Sequence, residues 1–287
     1  MKSEYLRIIP RLDIKGPNLV KGIHFEGLRV LGKPERFARF YYENGADELL
    51  YQDAVASLYG RNSLLEIIKK TSSEIFIPLC VGGGLRSIDD IREVLRAGAD
   101  KVAINSAAVK RPELIKEASR AFGSSTILVS IEAIKKTDGT YEAYIDYGRE
   151  STGVDAVNWA QHAVNLGAGE LLVTSIDQEG TGAGFDLELI NKIAPAVTVP
   201  VIACGGCGNL THIVKAVSHG NADAICIASI LHYYVVQNLQ PFGEDADFEV
   251  EGNIEFLQSK KQFKRVNPSK INDIKASLNN QGISCRI

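Results

Sequence analysis

Residues 77–87 read Ile-Pro-Leu-Cys-Val-Gly-Gly-Gly-Leu-Arg-Ser, and residues 199–209 read Val-Pro-Val-Ile-Ala-Cys-Gly-Gly-Cys-Gly-Asn. Each is a short apolar run entered through proline, closed by a glycine turn and followed by helical spacing, the pattern of a buried strand feeding a helix. The two stretches align at an offset of 122 residues, 77 against 199. Gly45-Ala-Asp-Glu-Leu-Leu pairs with Gly167-Ala-Gly-Glu-Leu-Leu at the same offset, and the run from Ala99 pairs with the run from Ala222 at 123. That period is far too long for a solenoid repeat and predicts two halves of one design.

Working outward, β-branched apolar runs recur at 6–13, 47–53, 76–81, 101–105, 126–132, 170–174, 199–204 and 224–228. Amphipathic segments near 34–45, 61–72, 88–97, 111–121, 153–166, 186–194, 210–219 and 270–281 separate and follow them. Strands alternating with helices at this spacing predict βαβ units in a parallel sheet. Eight units in about 250 residues predict a closed (β/α)₈ TIM barrel built from two fused half-barrels, rather than an open doubly wound sheet. The chain is accordingly expected to be one barrel domain over residues 1–287. One segment, 241–268, fits no unit: it turns from acidic to basic and lies between strand eight and the last helix, on the catalytic-face side. It is longer than an ordinary connection and reads equally as a solvated insertion or as a lid or docking element.

Composition narrows the class. Hydrophobic residues make up 45% and charged residues 23%, as in a globular protein, and the net charge of −3 gives no reason to expect nucleic acid or an anionic membrane as partner. Charges interrupt the first residues, so no signal peptide is expected, and no apolar run approaches the roughly 20 residues of a bilayer span. The five cysteines fall mostly in strand-like runs, which predicts reduced thiols and a cytoplasmic location. Cys204 and Cys207 have metal-ligand spacing, but no second Cys or His pair completes a site, so neither metal nor cofactor is expected.

In such a barrel the strand C-termini face the active site. Asp13, Asp53 and Glu132 end predicted strands, and Asp177 and Glu179 lie in the loop after strand six. Asp13 and Glu132 stand half a barrel apart, a placement suited to acid and base work on a substrate between them. The glycine turns at 82–84 and 205–206, with Asn105-Ser106 and Ser229 beside them, offer one phosphate cradle per half-barrel, through backbone N–H groups and helix N-termini. Lys21 in the first loop can close over an anionic substrate. Taken singly, each of these residues also has a structural explanation, as a loop cap, a tight turn or a solvated cation.

The motifs Ile8-Ile-Pro-Arg-Leu-Asp-Ile-Lys, Val20-Lys-Gly, Val81-Gly-Gly-Gly-Leu-Arg-Ser, Gly98-Ala-Asp-Lys-Val-Ala-Ile-Asn-Ser and Thr152-Gly-x-Asp-Ala-Val-x-Trp-Ala resemble the cyclase subunit of imidazole glycerol phosphate synthase, over nearly the whole chain. The resemblance implies a heterodimer with a glutaminase subunit whose ammonia travels through the barrel. It also implies a bis-phosphorylated aminoimidazole carboxamide ribonucleotide as substrate, split into imidazole glycerol phosphate and an aminoimidazole carboxamide ribonucleotide. By the same resemblance, Asp13 and Lys21 match catalytic positions. Gly83, Gly84, Asn105, Ser106, Gly205, Gly206 and Ser229 match the two phosphate sites. Arg7, Glu48, Lys101 and Glu170 match a charged gate at the ammonia entrance, and Asp100 matches a position facing the glutaminase.

Three departures stand out. Glu132 and Glu179 replace aspartates, each carrying its carboxylate about one methylene farther out, and a misplacement near 1 Å can cost on the order of a hundredfold in rate. Arg11 stands where the family commonly has a small residue. With the extra segment, these changes also resemble a paralogous branch linked to surface-polysaccharide synthesis, which implies an alternative role: delivery of ammonia to a sugar amidotransferase with little or no cyclisation.

Overall fold

The computed structural model describes residues 4–56, 64–239 and 265–286. Eight parallel strands close a barrel: β1 (Arg7–Lys15), β4 (Leu49–Asp53), β5 (Leu79–Gly82), β6 (Lys101–Ile104), β7 (Ile127–Lys135), β10 (Glu170–Ser175), β11 (Val201–Cys204) and β12 (Ala224–Ile227). Closure comes from two pairings: β7 with β10 (Leu128 opposite Glu170) and β12 with β1 (Ala224 opposite Arg7). Helices Pro34–Glu43, Leu65–Ser72, Ile88–Arg96, Glu113–Phe122, Ala156–Asn165, Leu187–Ile193, Leu210–Ser218 and Ile271–Asn280 alternate with the strands, matching the predicted segments to within a few residues.

The repeated Gly-Ala-Asp sequence has a mechanical reason. Gly45 and Gly98 take positive φ (81° and 117°) just past a helix end, a conformation that needs no Cβ. The following alanine is buried, and the aspartate turns back to the adjacent strand. Asp47 accepts from the Ile8 N–H at 2.7 Å, Asp100 from Leu79 at 2.9 Å and Asp223 from Val201 at 3.0 Å. Each carboxylate thus satisfies the first or second N–H of a neighbouring strand at the N-terminal end of the barrel. Ser87 and Asn209, the last residues of the two aligned stretches, are both helix N-caps.

Four strands lie outside the eightfold reading. β2 (Asn18–Ile23) and β3 (Glu26–Gly32) form an antiparallel hairpin on β1. β8 (Tyr141–Ile145) and β9 (Glu150–Asp155) form another on β7, so the start of the predicted 153–166 helix is strand and the helix opens at Ala156 under an Asp155 cap. A further helix, Ser229–Asn238, leaves strand β12 directly. Of the segment at 241–268, residues 241–264 lie outside the described residues. Just beyond them, Val266 is buried, the Asn267 N–H donates to Gly208 O and the Ser269 N–H donates to Ile230 O.

Alternation along each strand separates two cores. Outward residues such as Ile8, Leu12, Leu49 and Val102 pack under the helices. Inward residues Ile9, Leu50, Cys80, Ala103, Leu128, Leu172 and Ile202, among others, form a separate apolar plug inside the barrel. A third cluster, with Val20, Phe25, Tyr147 and Ile176, joins the two hairpins over the C-terminal mouth.

Candidate active site

At the N-terminal mouth the four predicted gate residues form one ring. Arg7 reaches Glu48 at 3.1 Å and Glu170 at 2.6 Å, and Lys101 reaches both at 2.9 Å. Charges alternate around the ring, so each carboxylate faces two cations. Burial pushes Glu170 up, but Arg7 and Lys101 outweigh it and hold the carboxyl below its usual range. Glu48 is more deeply buried, and there burial, helped by the charge of Glu170, raises the carboxyl despite Lys101 and Arg7. Asp100 is exposed at the same end, beside Phe76, which is 81% exposed.

At the C-terminal mouth, β1 directs Ile9, Arg11 and Asp13 inward in turn. Arg11 is fully buried; its Nε donates to Asp13 Oδ1 at 2.9 Å and its guanidinium lies 5.2 Å from the Phe25 ring centroid. Glu132, inward on β7, is equally buried and accepts from Asn105 Nδ2 at 3.2 Å. Burial raises its carboxyl to about 7, with Arg11 pulling down, Asp13 pushing up and the Gly148 N–H pulling down. The two carboxylates across the mouth therefore differ in kind: one has a buried cation of its own, the other keeps a proton near neutrality.

Lys21, from the first hairpin, is ion-paired with Glu179 in the loop after β10, and both are buried. Burial pushes Glu179 up, but Lys21 and Arg11 outweigh it and hold the carboxyl below its usual range. His24 N–H donates to Glu179 O, its Nδ1 lies 2.7 Å from Ile176 O, and Phe25 packs on Tyr147 at 4.3 Å between ring centroids. The hairpin thus lies closed over the acid pair. Asp177 is placed differently: it is exposed, bonds the Lys135 N–H at 3.0 Å and lines neither of the two cavities at this mouth.

The two glycine turns have different surroundings. Gly83, Gly84, Asn105 and Ser106 line a cavity of about 350 Å³ that also reaches Glu132. Gly83 has φ 99° and the end of the adjacent strand β4 leaves no room for a side chain: a Cβ would lie 2.7 Å from Asp53. Arg86, Lys110 and Arg111 also line this cavity: Arg86 stands two residues past Gly84, whereas Lys110 and Arg111 come from the far end of the short helix Ser106–Lys110, which no turn motif marks. Gly205, Gly206 and Ser229 line a second cleft of only about 10 Å³, narrowed by Gly182 and Gly184 of the loop after β10. Cys204 and Cys207, the pair with metal-like spacing, are instead bound separately, Cys204 Sγ to Arg11 Nη1 at 3.7 Å and Cys207 Sγ to Asn209 O at 3.6 Å.

A family model for histidine biosynthesis proteins matches residues 7–237. The chain belongs to this family. Among its curated relatives is the imidazole glycerol phosphate synthase subunit HisF of Legionella pneumophila, 58% identical over 205 residues, which cover 71% of this chain and 97% of the relative. The protein of the same name from Methanocaldococcus jannaschii is 46% identical over 260 residues, covering 83% of this chain and 96% of the relative. That from Alkaliphilus metalliredigens is 47% identical over 227 residues, covering 79% and 90%. The histidine biosynthesis family match takes in both carboxylates, the gate ring and both glycine turns. No described helix is long and apolar enough to cross a membrane.

Proposed function

We propose that this chain is the cyclase subunit of imidazole glycerol phosphate synthase, using ammonia to convert a bis-phosphorylated aminoimidazole carboxamide ribonucleotide to imidazole glycerol phosphate and an aminoimidazole carboxamide ribonucleotide. The observation that carries this reading is the unlike pair Asp13 and Glu132, facing each other across the mouth of a barrel of this family. Glu132 keeps its proton to about pH 7 and serves as the acid. Asp13, ion-paired with Arg11, serves as the base. Glu132 shares its cavity with Gly83, Gly84, Asn105 and Ser106, which bind one phosphate. The other phosphate falls to Gly205, Gly206 and Ser229 once the loop around Glu179 and Gly182 moves outward. Lys21 closes the first hairpin over the substrate.

The relatives' name as subunits supports a second chain. We assign it the glutaminase role and place its docking at the N-terminal mouth, around the Arg7–Glu48–Lys101–Glu170 ring and Asp100. The synthase relatives favour cyclisation over the alternative in which ammonia passes on to a sugar amidotransferase. One assay separates the two: purified chain, the ribonucleotide and an ammonium salt, without glutaminase. Turnover abolished in Asp13→Asn is the expected result; absence of turnover, with glutaminase binding intact, refutes cyclisation.

A further inference from the structure

Two polar atoms in the upper barrel are buried without a hydrogen-bond partner among the described residues: Nη2 of Arg11 and Oγ1 of Thr174. Strand periodicity sets them in one layer. Arg11 stands two residues beyond Ile9 on β1, Thr174 two beyond Leu172 on β10 and Cys204 two beyond Ile202 on β11. Ile9, Leu172 and Ile202 belong to the apolar plug, so this layer is the polar collar where the interior opens toward the mouth. Cys204 links the two: Arg11 Nη1 donates to its Sγ, and the Thr174 hydroxyl is directed at the same thiol, which leaves the hydroxyl's lone pairs unused. The narrow cleft assigned above to the second phosphate opens on the mouth side of this layer and is lined by Arg11, Cys204 and Cys226.

The unpaired atoms define what such a molecule must offer. A guanidinium only donates, so its missing partner must bring a lone pair, and the threonine hydroxyl can accept an N–H. Neutral ammonia supplies both, as water does, and it is the nitrogen donor of the proposed reaction. Ammonium has no lone pair and carries the same charge as Arg11, and a fixed arginine at a constriction is an electrostatic barrier to cations.

We infer that Arg11 and Thr174 form a holding site for one molecule of neutral ammonia at the top of the barrel interior, with Arg11 excluding ammonium and other cations. The inference rests on the ammonia-dependent cyclase reading above. It also gives the arginine at a position of small residues a task of its own, beyond pairing Asp13.

The test is steady-state turnover of the full chain with the ribonucleotide and ammonium chloride near about pH 8.5, counting ammonia as free base. Thr174→Val is expected to raise KM for ammonia about fivefold, the value of one ordinary hydrogen bond, with KM for the ribonucleotide unchanged within about twofold. Arg11→Met is expected to raise KM for ammonia about tenfold or more, and Arg11→Lys to recover part of that loss. In Arg11→Gln, potassium chloride exchanged for tetramethylammonium chloride at fixed ionic strength inhibits in competition with ammonia, while the wild type is indifferent. Should Arg11→Met fail to fold, the Thr174→Val and Arg11→Lys values decide. Wild-type turnover with KM for ammonia unmoved in both overturns the holding site alone and leaves a structural water as the occupant. Absence of ammonia-dependent turnover in the wild type overturns the function and the holding site together.

Discussion

Glu132→Gln isolates what it costs to keep an acid inside the mouth. Burial raises the Glu132 carboxyl from an ordinary 4.5 to about 7. The folded chain therefore holds this proton through a window in which the unfolded chain has released it. Stability from this group is complete below about pH 4.5 and is lost as pH rises through about 7. The whole gap is worth about 3 kcal/mol, and about 2.5 kcal/mol of it falls between pH 5 and pH 8. Glutamine keeps the shape and an acceptor for Asn105 Nδ2, which lies 3.2 Å from the carboxylate, but never ionises. Urea unfolding of both proteins at pH 5 and pH 8 reads the effect directly. The variant should gain on the wild type by about 2.5 kcal/mol across that interval, while turnover falls by about a hundredfold or more. A stability difference that stays constant with pH refutes the protonated acid, and retained turnover refutes its role.

Three further outcomes follow from contacts elsewhere. Gly83→Ala puts a Cβ 2.7 Å from Asp53 at φ 99° and should raise KM for the phosphorylated substrate about tenfold, measured in the ammonium assay. Lys101→Met removes a cation shared by Glu48 and Glu170; with the partner present, glutamine-driven turnover should fall while ammonium-driven turnover holds within about twofold. Lys21→Met strands buried Glu179 and should cost about 3–5 kcal/mol in urea unfolding, with faster hydrogen exchange across 18–32; adding Glu179→Gln should restore most of the loss.

The barrel was legible because its strands are buried on both faces and so read as unbroken apolar runs, each tied to a helix by glycine or Gly-Ala-Asp. The two hairpins were not, and the reason lies in their turns. A two-residue hairpin turn ordinarily asks for Asn-Gly, yet the first is made by His24 and Phe25 at φ 50° and 63°. The second puts Asp146 and Tyr147 in the same left-handed region, at 52° and 61°. The first turn carries no turn-forming residue and the second only Asp146 and Gly148; both are held by tertiary contact, Phe25 and Tyr147 packing ring to ring across the mouth. Of the candidate residues, the four singled out by family resemblance as a gate form one ion-paired ring, and Gly83, Gly84, Asn105 and Ser106 line one cavity. Asp177 does not join them, because its loop turns that side chain back to the Lys135 N–H. Arg11 was visible only as an unexpected residue type; its buried pairing depends on where strand β1 meets Phe25 and Cys204, which no local pattern encodes.

The half-barrels begin from the same arrangement and part at one side chain. Strand β1 sends Arg11 and Asp13 inward two residues apart, and strand β7 sends Ser130 and Glu132 inward two residues apart. All four are buried, so the two carboxylates start from similar surroundings. Only β1 places a buried cation two residues before its carboxylate. With Arg11 at 2.9 Å, Asp13 is paired where Glu132 has a neutral amide, and the charge on Asp13 adds to what burial already does to Glu132. The twofold design thereby carries two unlike carboxylates on opposite walls, which is what the proposed acid and base roles require. The same guanidinium lies over the Phe25 ring, so the hairpin that covers the mouth closes against the charge that sets the two carboxylates apart.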